Sequence, residues 1–260
     1  MVLDEPTRLA LFEYSLRLGD DMLVLGHRLS EWCGHAPILE EDIALANVAL
    51  DCIGQSAALL GLAGDVERKG RTADDLAYFR DAMDFKNLVL VEQPKGDFGF
   101  TIARQFLFDA YSYHLYQALQ QSRHSELAAI ATKAFKEICY HLRHSSQWTR
   151  RLGDGTEESR RRIQNAFDEL WTLTDEFFVI DEVERALVEQ GIAPNREDLK
   201  LAWDATVNEV LASATLTRPR NIVPEHFKRV GGWVGKHSEP LGVMLAEMQS
   251  LARASPGAQW

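Results

Sequence analysis

No proline or glycine interrupts the chain from Phe100 to Leu152, and none from Thr156 to Gln190. These two residue types end helices and make turns, so tracts this long without them fit long helices and exclude a succession of short strands. Alternating runs of Val, Ile and Thr are nearly absent, and Leu88–Val91 is the one short strand candidate. The pattern predicts helices over 6–33, 38–63, 72–85, 98–122, 124–151, 157–178, 181–190, 195–215 and 238–253. Several starts carry capping chemistry. Glu40, Glu41 and Asp42 follow Pro37 where the helix dipole favours acids, and Thr72 with Asp75 and Asn195 with Asp198 have N-cap spacing. The expected architecture is one all-α domain over 1–260, its four longest helices forming an antiparallel bundle. The Pro- and Gly-rich stretch 217–237 is read as an ordered excursion within that domain.

The chain carries 39 acidic against 28 basic residues, a formal charge of −11 in 260 residues. That balance argues against nucleic acid or an anionic membrane as a partner. The longest stretches without Asp, Glu, Lys or Arg, Cys52–Gly64 and Ala110–Ser122, fall short of the ~20 apolar residues of a membrane span. The start, with Asp4 and Glu5 and no basic region, does not read as a signal peptide. Cys33, Cys52 and Cys139 are widely spaced in apolar surroundings and are read as reduced core thiols of a cytoplasmic protein.

A large four-helix bundle raises the prospect of a ferritin-like carboxylate site. There, two helices each supply a carboxylate and two each supply Glu-x-x-His, all facing inward to hold two metals. The residue three before each of the eight histidines is never acidic, and no histidine lies between Ala36 and Tyr113, across the whole second helix. Polar residues are nonetheless aimed inward. Ile130, Ala134, Glu137, His141, His144 and Trp148 share one stripe of the fifth helix. Asp109 shares a stripe with Ile102 and Phe106, and Asp51 and Gln55 share one with Val48. The expectation is a vestigial hydrogen-bond and ion-pair network of Asp51, Gln55, Asp109, Lys133, Glu137 and His141, Lys133 supplying the positive charge that buried acids need. A metal site built from Asp51, Asp109, Glu137 and His141 is the alternative. No catalytic triad or phosphate loop is present: Ser145, Ser146 and His144 point in different directions. The aromatics Phe106, Phe108, Tyr111, Tyr113 and Tyr116 are too broadly spread for one buried face, so part of them should meet another helix layer or another chain.

Six segments together carry a resemblance. They are LRLGDDMLVLGHRLSEWCGHAP (Leu16–Pro37), LANVALDCIGQS (Leu45–Ser56), NLVLVEQPKGDFGFTIARQF (Asn87–Phe106), KEICYHLRHSSQW (Lys136–Trp148), RLGDG (Arg151–Gly155), and the tail from LGVMLAEMQ (Leu241–Gln249) to Gln259-Trp260. In these the chain resembles, over nearly its whole length, the C subunits of the phenylacetyl-CoA oxygenase, the ring 1,2-phenylacetyl-CoA epoxidase. The resemblance implies a ferritin-like subunit without catalytic residues or metal of its own. It would pair with a homologous catalytic chain that carries a di-iron centre, as a heterodimer doubled into a heterotetramer. Small subunits and a reductase would complete a complex that uses NADPH and O2 to epoxidise phenylacetyl-CoA in phenylacetate degradation. In that setting Asp84, Phe85, Lys86 and Asn87 are expected beside the acyl-CoA path, and Tyr113, Tyr116, Trp148 and Trp260 against the partner. A stand-alone helical binding protein is the remaining reading.

Overall fold

Asp4 opens the first helix by accepting a hydrogen bond from the Thr7 N–H at 3.0 Å, with Pro6 in the first turn, where a missing N–H costs nothing. The computed structural model describes residues 3–220 and 231–258. Among these there is no strand, and the α-helices are α1 (Glu5–Ser30), α2 (Leu39–Glu67), α3 (Ala73–Tyr78), α4 (Phe98–Leu119), α5 (Ser125–Gly153), α6 (Glu157–Leu170), α7 (Glu182–Glu189), α8 (Arg196–Ser213) and α9 (Glu239–Ala254).

α1 and α2 form an antiparallel hairpin packed closely at two glycines. A Cβ on Gly19 would lie 2.7 Å from Leu60 Cδ2, and one on Gly26 would lie 2.9 Å from Ile53 Cδ1. α4 and α5 form a second hairpin, in register through Phe98 against Trp148 (5.0 Å between ring centres) and Tyr113 against Phe135 (5.1 Å). The indole N–H of Trp32, just past α1, donates to Thr101 near the start of α4 at 3.0 Å. α1 and α4 therefore run in opposite directions, α2 and α4 in the same one, and the connection 68–97 must travel the length of the bundle.

A second layer covers the outer face of α4. Phe106 meets Phe167 of α6, Tyr111 stacks on Phe177 at 4.6 Å, and the Trp203 indole of α8 donates to the Leu107 carbonyl at 3.1 Å. The aromatic excess of α4 is thus met largely within the chain. α2 alone among the described helices has the length and hydropathy of a membrane span, a mean hydropathy of 1.6 over 18 residues. Its buried side packs along α1.

The expected helix 72–85 is broken. α3 ends at Tyr78, and a 3-10 turn at Ala82–Asp84 follows, because Arg80 turns into the core to pair with Asp20. The expected helix 157–178 changes to 3-10 winding at Trp171–Phe178. Leu88–Val91 is not a strand but a turn, with the Val91 N–H bonded to the Leu88 carbonyl. Of the core thiols, Cys52 is buried, Cys139 is half-buried, and Cys33 is exposed in the turn after α1. The excursion 217–237 lies partly outside the described residues. Its Trp233 is buried, with the guanidinium groups of Arg17 and Arg196 at 4.5 and 4.7 Å from its ring.

Residues 87–92 of the connection are buried without being helix or sheet, so their backbone groups need side-chain partners. Carboxylates supply them. Asp20 accepts from the Lys86 N–H (2.8 Å), Asp21 from Leu88 N–H (2.7 Å) and Glu176 from Val89 N–H (2.8 Å). Glu176 also holds the Gly231 and Gly232 N–H groups, and Glu92 holds the Asn87 amide and the His237 ring. Arg80 binds both oxygens of Asp20 while lying 4.4 Å over the Phe85 ring. Asp20→Ala would strand a buried guanidinium and a backbone N–H together. It should cost about 3–5 kcal/mol, read from the midpoint of urea denaturation. A loss under ~1 kcal/mol would show that the connection does not depend on this pair.

Candidate functional site between α2 and α5

α2 and α5 are bridged by polar pairs spaced along their antiparallel seam. The His141 imidazole lies 3.0 Å from the Asp51 carboxylate, Gln55 donates to Glu137 at 2.8 Å, and His144 meets Glu41 at 2.8 Å with the Tyr140 ring stacked on it. Each residue reaches the seam because α2 and α5 both place it on the edge of their buried stripes. Beside the Gln55–Glu137 rung lies a groove of about 420 Å3 lined by Leu50, Gln55, Ala58, Ile130, Lys133 and Glu137.

Asp109 sits deeper, on α4, and is fully buried. Its two oxygens accept from the Gln105 amide and the Ser145 hydroxyl, both at 2.7 Å. Burial pushes its carboxyl up to about 6, although the charge of His141 and the two donors oppose that rise. Burial, reinforced by the charges of Asp109, Asp51 and Glu137, pushes the Cys52 thiol well up, which suppresses its thiolate.

The expected polar set is therefore divided. Asp51 pairs with His141, Gln55 pairs with Glu137, and Asp109 is served by Gln105 and Ser145, two residues the sequence pattern did not single out as its partners. Lys133 is a correction: it is exposed at the groove mouth and, among the described residues, makes no ion pair or hydrogen bond. Water solvates its ammonium there more cheaply than the interior could. As a metal cradle the set does not fit. Both Asp109 oxygens are taken by donors, and among the described residues no three of His, Cys, Asp and Glu converge to hold an ion.

The residues expected beside an acyl-CoA are not presented together. Asp84 is exposed, its carboxylate accepting from the Asp81 N–H, but Phe85 and Asn87 are fully buried, Phe85 under Arg80 and Asn87 on Glu92. The Lys86 ammonium is turned to the Trp233 carbonyl at 3.2 Å. The chain dives inward here toward Asp20 and Asp21, so adenine and phosphate contacts from Phe85 and Asn87 are closed off. Of the expected partner contacts, Tyr116 is 1% exposed and belongs to the core. Tyr113 and Trp148 are half-buried, Trp148 with Arg151 over its ring at 5.2 Å, and Trp260 lies outside the described residues.

The family described as phenylacetic acid catabolic protein matches residues 2–260. The chain belongs to that family. It is also 50% identical over 250 residues to the C subunit of the 1,2-phenylacetyl-CoA epoxidase of Escherichia coli (strain K12), covering 96% of this chain and 99% of that one. The resemblance carried by the six segments is thus met across the whole length.

Asp109 gives the site a pH signature. Its carboxyl titrates near 6 when folded against an ordinary value of 3.8. Between those values the folded chain binds more protons than the unfolded one. Stability should therefore fall as pH rises from about 4 through 6, by up to ~3 kcal/mol, and stay reduced above. Asp109→Asn can keep contacts to Gln105 and Ser145 without the charge. It should flatten that dependence and be more stable than the parent at pH 8 by about 1–3 kcal/mol, with little difference at pH 4. Denaturant midpoints across pH decide this, and a variant less stable than the parent at pH 8 would contradict it.

Proposed function

We propose that this chain is the non-catalytic subunit of a phenylacetyl-CoA epoxidase. It would pair with and stabilise a homologous catalytic chain that carries the di-iron centre, in cytoplasmic phenylacetate degradation. The observation that carries the reading is the 50% identity to the Escherichia coli C subunit over nearly all of both chains. The helix directions support a ferritin-like bundle, because two antiparallel hairpins joined by one long crossing connection make that arrangement. The polar interior supports the non-catalytic role. Asp51, Asp109, Glu137 and His141 stand where such a bundle would keep ligands, and each is bonded to a side chain of this protein instead. The alternative of a metal oxidase built on these four residues gains no support from that geometry.

In this reading the chain contributes a surface, and the epoxidation of phenylacetyl-CoA with O2 and reductase-supplied electrons occurs on the partner. The pair should be a heterodimer with an interface in the obligate range, above about 2,000 Å2, doubled into a heterotetramer. Co-expression with the homologous catalytic chain and size-exclusion chromatography is the test. The two chains should elute together, and the catalytic chain made alone should be less soluble or less active. Separate elution, with the catalytic chain fully active by itself, would end the proposal.

A further inference from the structure

Packing against α1 and the edge of α5 leaves one stripe of α2 bare. Leu39, Ile43 and Leu50 are 72%, 55% and 68% exposed, and Gly54, Ala57 and Ala58 continue the same stripe. From Leu39 to Ala58 this face is apolar except for Asn47 and, at its N-terminal margin, Glu40, and it extends about 30 Å at 1.5 Å per residue. Large apolar residues at one end and small ones at the other suit a second helix lying along it, touching side chains first and then backbone.

Beside this stripe, across the groove, α5 presents the opposite chemistry. Lys133, Lys136, Arg143 and Arg151 are exposed on one stripe of α5. None has an acidic partner among the described residues: Arg143 lies over the Tyr140 ring and Arg151 over the Trp148 ring, while the two lysines are free. In a chain of net charge −11 this is a local excess of positive charge at the edge of an apolar face. The groove floor is closed by Gln55. Gln55 is 4% exposed, its amide donates to Glu137, and its carboxamide oxygen has no hydrogen-bond partner among the described residues.

We infer that the α2–α5 face is the docking surface for the catalytic subunit, whose contacting helices carry an apolar seam flanked by acidic residues. This rests on the function proposed above and assigns that pairing to a place. Charge complementarity selects the occupant. Apolar side chains alone would accept many helices, whereas four unpaired cations along one margin favour an acidic flank and disfavour a basic one. Two helices about 10 Å apart over about 30 Å present on the order of 600 Å2, roughly 1,200 Å2 counted on both partners, so this face supplies over half of the ~2,000 Å2 interface proposed above and neighbouring surface supplies the rest.

The test uses the full chain co-expressed with the catalytic subunit, with affinity read by titration of separately purified chains. Leu50→Asp places a charge in the apolar stripe at an exposed position and should leave the melting midpoint unchanged. It should weaken pairing by about 30-fold or more. The double change Lys133→Glu with Lys136→Glu should weaken pairing by about tenfold and reduce its salt dependence. Leu201→Asp, at a still more exposed position on α8, should pair like the parent. Parent-like affinity in the Leu50→Asp and Lys133→Glu/Lys136→Glu variants would overturn the surface while leaving the pairing itself intact. Failure of the unsubstituted chain to pair at all would instead count against the proposed function. Vesicles of phosphatidylcholine and phosphatidylglycerol supply a further arm. Flotation of the parent chain that is lost in these variants, with subunit pairing retained, would assign the face to a membrane and overturn the inference. Self-association of the parent chain abolished by Leu50→Asp, again with pairing retained, would assign it to a second copy and overturn it equally.

Discussion

Buried carboxylates that accept backbone N–H bonds hold this fold together. The connection between the two hairpins passes through the interior, where peptide groups have neither water nor a ladder to satisfy them. Asp20, Asp21 and Glu176 take over that task, Glu92 of the connection in turn accepts from the Ser238 N–H, and Arg80 neutralises Asp20 while capping Phe85. The cost is visible in Asp21 and Glu176, whose carboxyl groups burial pushes upward against the pull of the backbone donors. Because Glu176 comes from the segment after α6 and Glu92 reaches Ser238 and His237, these two side chains also tie the outer layer and the start of α9 to the bundle.

This arrangement separates two uses of acidic residues that look alike in sequence. Those near 20, 92 and 176 are structural acceptors. Asp51 and Glu137, half-buried at the α2–α5 seam, are engaged by His141 and Gln55, and Asp109, buried on α4, by Gln105 and Ser145. The oxygens of these carboxylates are occupied by groups of the chain itself, and burial still raises the Asp109 carboxyl. What remains free is on the outside: the apolar face of α2 and the cations of α5. The division of the α2 surface follows from its composition, apolar enough on both sides that α1 can cover only half of it.

The helical architecture was largely legible because proline, glycine and N-cap residues act locally. Thr72 with Asp75 does form a capping box, and Asn195 does cap α8. The break after Tyr78 was not legible, since it depends on Arg80 finding Asp20, sixty residues earlier in the chain. The GDD triplet inside an apolar run was the available sign that α1 carries buried acceptors. Helical stripes placed Asp51, Gln55, Glu137 and His141 on facing edges, because stripe position depends only on helix periodicity. Periodicity does not say how far from the axis a long side chain ends, which is why Lys133 was expected inside and lies at the rim. Nor does it say what a second layer will cover, so Tyr116 read as a contact surface and is core.

The claim on which the functional account turns is that the inward carboxylates of this bundle serve as hydrogen-bond acceptors and not as metal ligands. Anaerobic titration of the purified chain with ferrous iron, followed by gel filtration and metal analysis, tests it most directly. The expected result is no stoichiometric iron retained by the chain at pH 7. Retention of two iron atoms per chain, lost on Asp109→Asn, would contradict it.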